Sequence, residues 1–255
     1  MEIGLLVLGV AAGILSGLFG IGGGVVMVPS LIALFGLNIL DANATSLAAM
    51  LLPVGVLGVV TYYRAGYINI KDALWISAGL LLGSFFGAEL AVNVKEGLLA
   101  KLYAGFLLYI AVGYLDVPAM FRKKRLVGEG SEPKQRAFWC FILVGLLAGI
   151  VAGMFGKGGG IIIVPALVKL FHYDVKAAAA TSLAALQLPV GLPSVIVYAN
   201  DGHLSFLYAG LIAFGIVLGA FLGTKMAVRM PVSIFKKVFA VFLLAVAFFM
   251  VFKYM

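Results

Sequence analysis

Apolar positions dominate the chain in long runs, separated by short polar or glycine-rich stretches. The runs fall at about 3–19, 24–37, 43–63, 72–94, 98–117, 137–155, 160–171, 178–199, 205–228 and 235–252. A helix needs about 20 apolar residues to cross a ~30 Å hydrocarbon core, so most of these runs predict spanning helices. Runs 24–37 and 160–171 are shorter, because a glycine cluster ends the run before each of them. The pattern predicts an all-α polytopic membrane protein of ten helical segments, at least six of them spanning. Pro53 and Pro189 are expected to kink the helices that contain them.

Sliding the chain by 136 residues lays GILSGLFGIGGGVVMVP (13–29) on GIVAGMFGKGGGIIIVP (149–165). The same shift lays NATSLAAMLLP (43–53) on AATSLAALQLP (179–189), and Gly79, Gly83 and Gly87 on Gly215, Gly219 and Gly223. No gap is needed from 13 to 226, and about 34 of 78 aligned positions are identical. This is an internal duplication. It divides the chain into a first membrane repeat (1–117), a basic linker (118–136) and a second membrane repeat (137–255). Each repeat holds about five helical segments with a glycine-broken short helix. Five is odd, so the two repeats are expected to lie inverted in the bilayer.

Charge supports that orientation. With the linker that carries Arg122, Lys123, Lys124 and Arg125 in the cytoplasm, alternation places 14 of the 18 basic residues on the same side. This is the positive-inside bias, and it puts both termini outside. The alternative is four spans per half, parallel repeats and both termini inside. Composition then fixes the class: 64% of residues are hydrophobic, 11% are charged and the mean hydropathy is +1.18. A soluble domain averages about 25% charged residues, so a soluble enzyme, a coiled coil and a disordered chain are excluded. The net charge of +8 lies in loops between apolar runs and not on one soluble face, which argues against nucleic acid as a partner. The lone cysteine, Cys140, excludes a disulfide framework.

The candidate chemistry sits at the glycine clusters. Gly20, Gly22, Gly23 and Gly24 in the first repeat match Gly156, Gly158, Gly159 and Gly160 in the second. Broken backbone at membrane depth is tolerated only where protein buries it or a cavity meets it. Each cluster precedes a short helix whose first-turn N–H groups favour an anion. Paired broken helices at matching points of two repeats point to a transporter's substrate site. The plainer reading, close helix packing, fits the Gly79 and Gly215 stripes. Lys157 replaces Ile21 of the other cluster and could add a cation to the site, or snorkel to the interface.

Asn43, Thr45 and Ser46, with Thr181 and Ser182 in the second repeat, fall at the start of the next helix. Their side chains could cap that helix or reach a ligand, and the sequence leaves both readings open. Gln187, which replaces Leu51, is a further polar candidate for the substrate-binding set. Glu89 is the one carboxylate well inside an apolar run and a candidate for coupling to a proton or other ion. His172 and His203 fall in loops and read as structural or solvated. The chain shows no metal constellation, no cofactor motif and no catalytic set. GKGGG lacks the Ser/Thr that follows the lysine of a P-loop, so nucleotide-driven transport finds no support.

The doubled G-x-x-[SA]-G-[LM]-F-G-x-GGG-x-x-x-VP and the doubled A-T-S-L-A-A-x-x-x-P resemble the sulfite exporter TauE/SafE family of bacterial and archaeal permeases. The resemblance covers nearly the whole chain. It implies a multi-pass permease of the prokaryotic cytoplasmic membrane for sulfur-containing anions such as sulfite, sulfoacetate or other organosulfonates. The expected function is a secondary transporter that rocks one repeat against the other around an anion held at the glycine breaks. An anion channel, a permease for another small organic anion and a non-transporting membrane subunit are the alternatives. The expected partners are the small anion, the lipid bilayer and a coupling ion. The oligomeric state is left open, a homodimer included.

Overall fold

A computed structural model of the chain describes residues 2–19, 23–51, 56–115, 137–156 and 159–229. The expected basic linker at 118–136 and the last apolar run at 235–252 lie outside the described residues. Eleven helices occupy the described residues, with no strand among them: α1 (Glu2–Phe19), α2 (Gly24–Phe35), α3 (Ile39–Ala49), α4 (Val56–Arg64), α5 (Ile70–Asn93), α6 (Glu96–Leu115), α7 (Phe138–Phe155), α8 (Gly160–Leu170), α9 (Val175–Ala185), α10 (Leu192–Asn200) and α11 (Phe206–Arg229). Three stretches are long and apolar enough to cross a membrane unaided: Ile70–Asn93, Phe138–Phe155 and Phe206–Gly223. The chain is an all-α, multi-pass membrane protein.

Two of the expected single helices are each two. Runs 43–63 and 178–199 divide into α3 with α4 and α9 with α10. In the second half the divide holds Pro189 and Gly191. Proline has no N–H to give and pushes the residue before it away from helical angles, so the expected kink becomes a full break. Pro53 lies outside the described residues.

The 136-residue shift maps α1–α5 onto α7–α11 almost residue for residue. The packing follows that symmetry but crosses between repeats. A Cβ built on Gly79, Gly83 or Gly87 of α5 would lie 2.1 Å from the carbonyl oxygens of Ile142, Leu146 and Ile150 of α7. On Gly215, Gly219 and Gly223 of α11 it would lie 2.4, 2.1 and 2.1 Å from those of Leu6, Val10 and Ile14 of α1. Only glycine lets two backbones approach this closely. The stripes therefore bind α5 of the first repeat to α7 of the second, and α11 of the second to α1 of the first.

Contact registers give the helix directions. Residue numbers rise together along α5 and α7, and along α1 and α11, so both pairs are parallel. The α7–α8 segment is a hairpin: Phe171, just past α8, stacks on Phe141 near the start of α7 with ring centroids 4.5 Å apart. The α9–α10 segment then climbs alongside α5, with Thr181 bonded near Asn69, Ala185 near Ser77 and Val190 near Ser84. At the far end His203 meets Asp41 at the start of α3. From there α11 packs back along α3 and α4, opposite in direction to α5. Helices α5 and α11, equivalent under the 136-residue shift, thus run in opposite directions.

These ten helices belong to one compact unit, residues 1–95 and 138–229. Part of its core is Ile76 and Leu80 of α5, Ala148 of α7, and Ile163 and Leu167 of α8. A second unit comprises residues 96–137 and 230–255. Its described helix, α6, buries Leu99, Ala100, Tyr103 and Ala104 along one face.

Opposite running senses have a direct test in the first turns of α1 and α7. Cys140 is exposed, and Ile3 is exposed at the start of α1. In intact cells an impermeant thiol reagent is expected to label Ile3→Cys, made in a Cys140→Ser background, and to spare the native Cys140. Labelling of both, or protection of both, would contradict the inverted arrangement.

Candidate functional site

The end of α7, where the hairpin turns, is held by side chains from elsewhere in the chain. Helix α7 ends at Phe155, and Gly156 turns the chain with φ +64°. A helix end exposes carbonyls that nothing in the helix can satisfy. Here Tyr198 of α10 donates to the Gly153 oxygen at 2.9 Å, Asn43 Nδ2 to the Met154 oxygen at 2.9 Å, and Ser46 Oγ to the Gly156 oxygen at 2.6 Å. Asn43, Ser46 and Tyr198 are fully buried. Asn43 and Ser46 lie in the second turn of α3 and do not start it. The caps are Asn38, accepting from the Asp41 amide, and Asp174, accepting from the Lys176 amide. The capping reading of Thr45, Ser46, Thr181 and Ser182 is thereby corrected.

Beyond the tip, Gly159 is the N-cap of α8, with no side chain capping it. Intrahelical bonding begins with the Ile162 and Ile163 amides, both to the Gly159 oxygen. The Gly160 and Ile161 amides are left without a partner in the helix. Gly159 packs so tightly that a Cβ there would lie 2.7 Å from Leu80 Cδ2 and 3.1 Å from Ala148 Cβ. Leu80 is ten residues into the 24-residue α5, so the α8 N-terminus sits near mid-depth of that helix.

A cavity of about 30 Å³ opens beside it, lined by Leu47 and Met50 of α3, Ser84 of α5, Gly159, and Val190 and Gly191 of the α9–α10 break, among others. Gly191 is the N-cap of α10, again with no side-chain cap. Two uncapped helix N-termini therefore meet one buried space. They differ in donors. In α10 the Leu192 amide bonds back to the Pro189 oxygen and Pro193 has no N–H, so α8 is the richer of the two.

The carbonyls of the α9–α10 break are held by α5. Ser77 Oγ donates to the Ala185 oxygen and Ser84 Oγ to the Val190 oxygen, at 2.8 and 2.7 Å, while Ser194 Oγ donates to the Ser84 oxygen at 2.6 Å. Sequence reasoning missed Ser77, Ser84, Ser194 and Tyr198. The available signal was that Ser77 and Ser84 are seven residues apart, on one face of a glycine-striped helix.

The other expected site residues divide. Gly20, Gly22, Lys157 and Gly158 lie outside the described residues. Gly23 and Gly24 are buried at the equivalent N-terminus of α2, against Ala12 of α1, and do not line the cavity. Thr181 Oγ1 accepts from the Asn69 amide at the start of α5, so it anchors that helix. Thr45 and Ser182 are buried. Gln187, just past α9, bonds back to the Leu183 oxygen of that helix at 3.1 Å. Glu89 is exposed one turn before the end of α5, away from the cavity. His203 is structural: its Nδ1 lies 2.7 Å from Asp41 and its Nε2 3.3 Å from Asp201. In the α8–α9 loop Tyr173 donates to Asp72. Burial, then that bond and the Asp72 charge, push its phenol well above the usual range, so it stays a donor.

Comparison with known proteins places this arrangement. The profile of the sulfite exporter TauE/SafE family matches residues 5–250. The chain belongs to the sulfite exporter TauE/SafE family. Its similarity to TauE/SafE-type relatives extends over both repeats. It is 29% identical to the probable membrane transporter protein YdhB of Bacillus subtilis, covering 91% of each chain. It is 31% identical to the probable membrane transporter protein MJ0441 of Methanocaldococcus jannaschii, over 87% of this chain and 84% of that one. No solved structure matches. This TauE/SafE protein is a membrane transporter.

The hairpin tip of the TauE/SafE chain separates two demands on glycine. Gly36 also has positive φ (+68°) but nothing within 4 Å of a Cβ, whereas a Cβ on Gly156 would lie 2.5 Å from Asn43 Cα. Gly36→Ala should cost about 1–2 kcal/mol for the left-handed backbone alone. Gly156→Ala should cost more, by about 1–3 kcal/mol of overpacking. Thermal melting of the purified variants in detergent checks the order; equal melting temperatures would refute the packing role.

Proposed function

We propose that this transporter carries small sulfur-containing anions, sulfite or organosulfonates, by alternating access, with the anion held at the α8 N-terminus. The observation that carries the reading is the pair of uncapped, glycine-capped helix N-termini facing one buried cavity. Such termini present N–H groups and the positive end of the helix dipole. At membrane depth, where water is scarce, those donors favour a negatively charged solute. Lys157, two residues before Gly159 in the second cluster, would add a cation to the same place. The choice of sulfur among anion classes comes from the family alone.

A cavity of about 30 Å³ has room for about one water, so binding an anion requires it to widen. The moving bodies are not the two repeats. Glycine stripes tie α5 to α7 and α1 to α11, so rocking carries each repeat's last striped helix with the other repeat's first. The cavity lies between α3 of one such body and α5, α7 and α10 of the other, where relative motion opens it.

Proteoliposomes holding the purified protein test this. Entry of labelled sulfite should accelerate when unlabelled sulfite is inside, as a carrier requires; absence of acceleration with rapid flux would mark a channel. Gly191→Ala adds a methyl that meets nothing closer than 3.5 Å, so folding should persist. It narrows the cavity, and sulfite flux should fall about tenfold, equivalent to ~1.4 kcal/mol. Unchanged flux would remove the cavity from the pathway.

A further inference from the structure

We infer that Asn43 determines specificity at this site: its side-chain carbonyl selects anions that also carry a hydrogen-bond donor. The inference rests on the anion site proposed above and deepens it. Asn43 is fully buried, and its orientation is decided by its neighbours. Nδ2 lies 2.9 Å from the Met154 carbonyl oxygen; the reversed amide would set two oxygens against each other. Oδ1 therefore faces the other way, toward Gly156, where a Cβ would lie 2.8 Å from it.

Among the described residues no donor serves this oxygen. Ser46 and Tyr198 each have one hydroxyl proton, and those are given to the Gly156 and Gly153 oxygens. Asn43 Oδ1 is buried with no hydrogen-bond partner, an arrangement proteins rarely keep. Helix folding does not demand the amide here, because the second repeat has Ala179 at the equivalent position of α9. Asn43 stands one helical turn before Leu47, which lines the cavity.

The two chemistries at the break are complementary. Amides at the α8 N-terminus take negative oxygens, while an isolated carbonyl oxygen repels them and accepts only from O–H or N–H. A solute that satisfies both is an oxyanion bearing a proton or an amino or hydroxyl group. A site built around such a bond discriminates against the analogue without it.

Methanesulfonate and hydroxymethanesulfonate have equal charge and differ by one hydroxyl. Isothermal titration of the full-length protein in detergent should give about tenfold tighter binding of the hydroxy compound. In Asn43→Ala the ratio should fall to about one, because the hydroxyl of hydroxymethanesulfonate loses its acceptor. Equal affinities in the native protein, as a water-bridged Oδ1 would give, overturn the inference and leave the anion site standing. A ratio that survives in Asn43→Ala overturns it too. Failure of the native protein to bind either anion removes the anion site and this inference together. If Asn43→Ala does not fold, the ratio in the native protein decides alone.

Discussion

A polypeptide cannot leave its amides and carbonyls unpaired in hydrocarbon, and the architecture follows from how this chain breaks helices at depth under that constraint. Each break frees a set of carbonyls and a set of amides. The carbonyls at the tip of α7 are taken by Tyr198, Asn43 and Ser46. Those between α9 and α10 are taken by Ser77 and Ser84. Among the described residues no side chain caps the N-terminus of α8. That asymmetry is the basis of the proposed site: negative ends are satisfied from within, and positive ends would meet a solute.

The same constraint explains the cross-repeat construction. A break can be covered only by side chains already held nearby, and the glycine stripes hold them. With α5 pressed backbone to backbone on α7, Ser84 of the first repeat reaches Val190 of the second. With α3 laid over the hairpin tip, Asn43 and Ser46 reach α7. Apart from Tyr198, the side chains that cover these breaks of the second repeat come from the first.

The sequence made part of this legible. Doubled glycine clusters and a constant shift predict the matching helix order of the two halves, because each is a local property read along the chain. The crossed pairing was not legible: a glycine stripe on α5 shows that a helix approaches, and the equivalent chemistry of α1 and α7 leaves open which one. The break at 186–191 read as a kink because Leu186, Leu188 and Val190 continue the apolar pattern through it. Asn43 and Ser46 read as start-of-helix residues since the apolar run begins there. The true start lies earlier, at polar Asn38, and the two side chains cap a different helix.

The central claim is that an anion sits against the amides opening α8. Selenite, a heavier analogue of sulfite, allows it to be located by anomalous scattering in crystals of the protein. The expected result is a selenium peak with its oxygens about 3 Å from the Gly160 and Ile161 nitrogens. Selenium found only at headgroup depth, with the α8 N-terminus closed over by protein side chains, would contradict it.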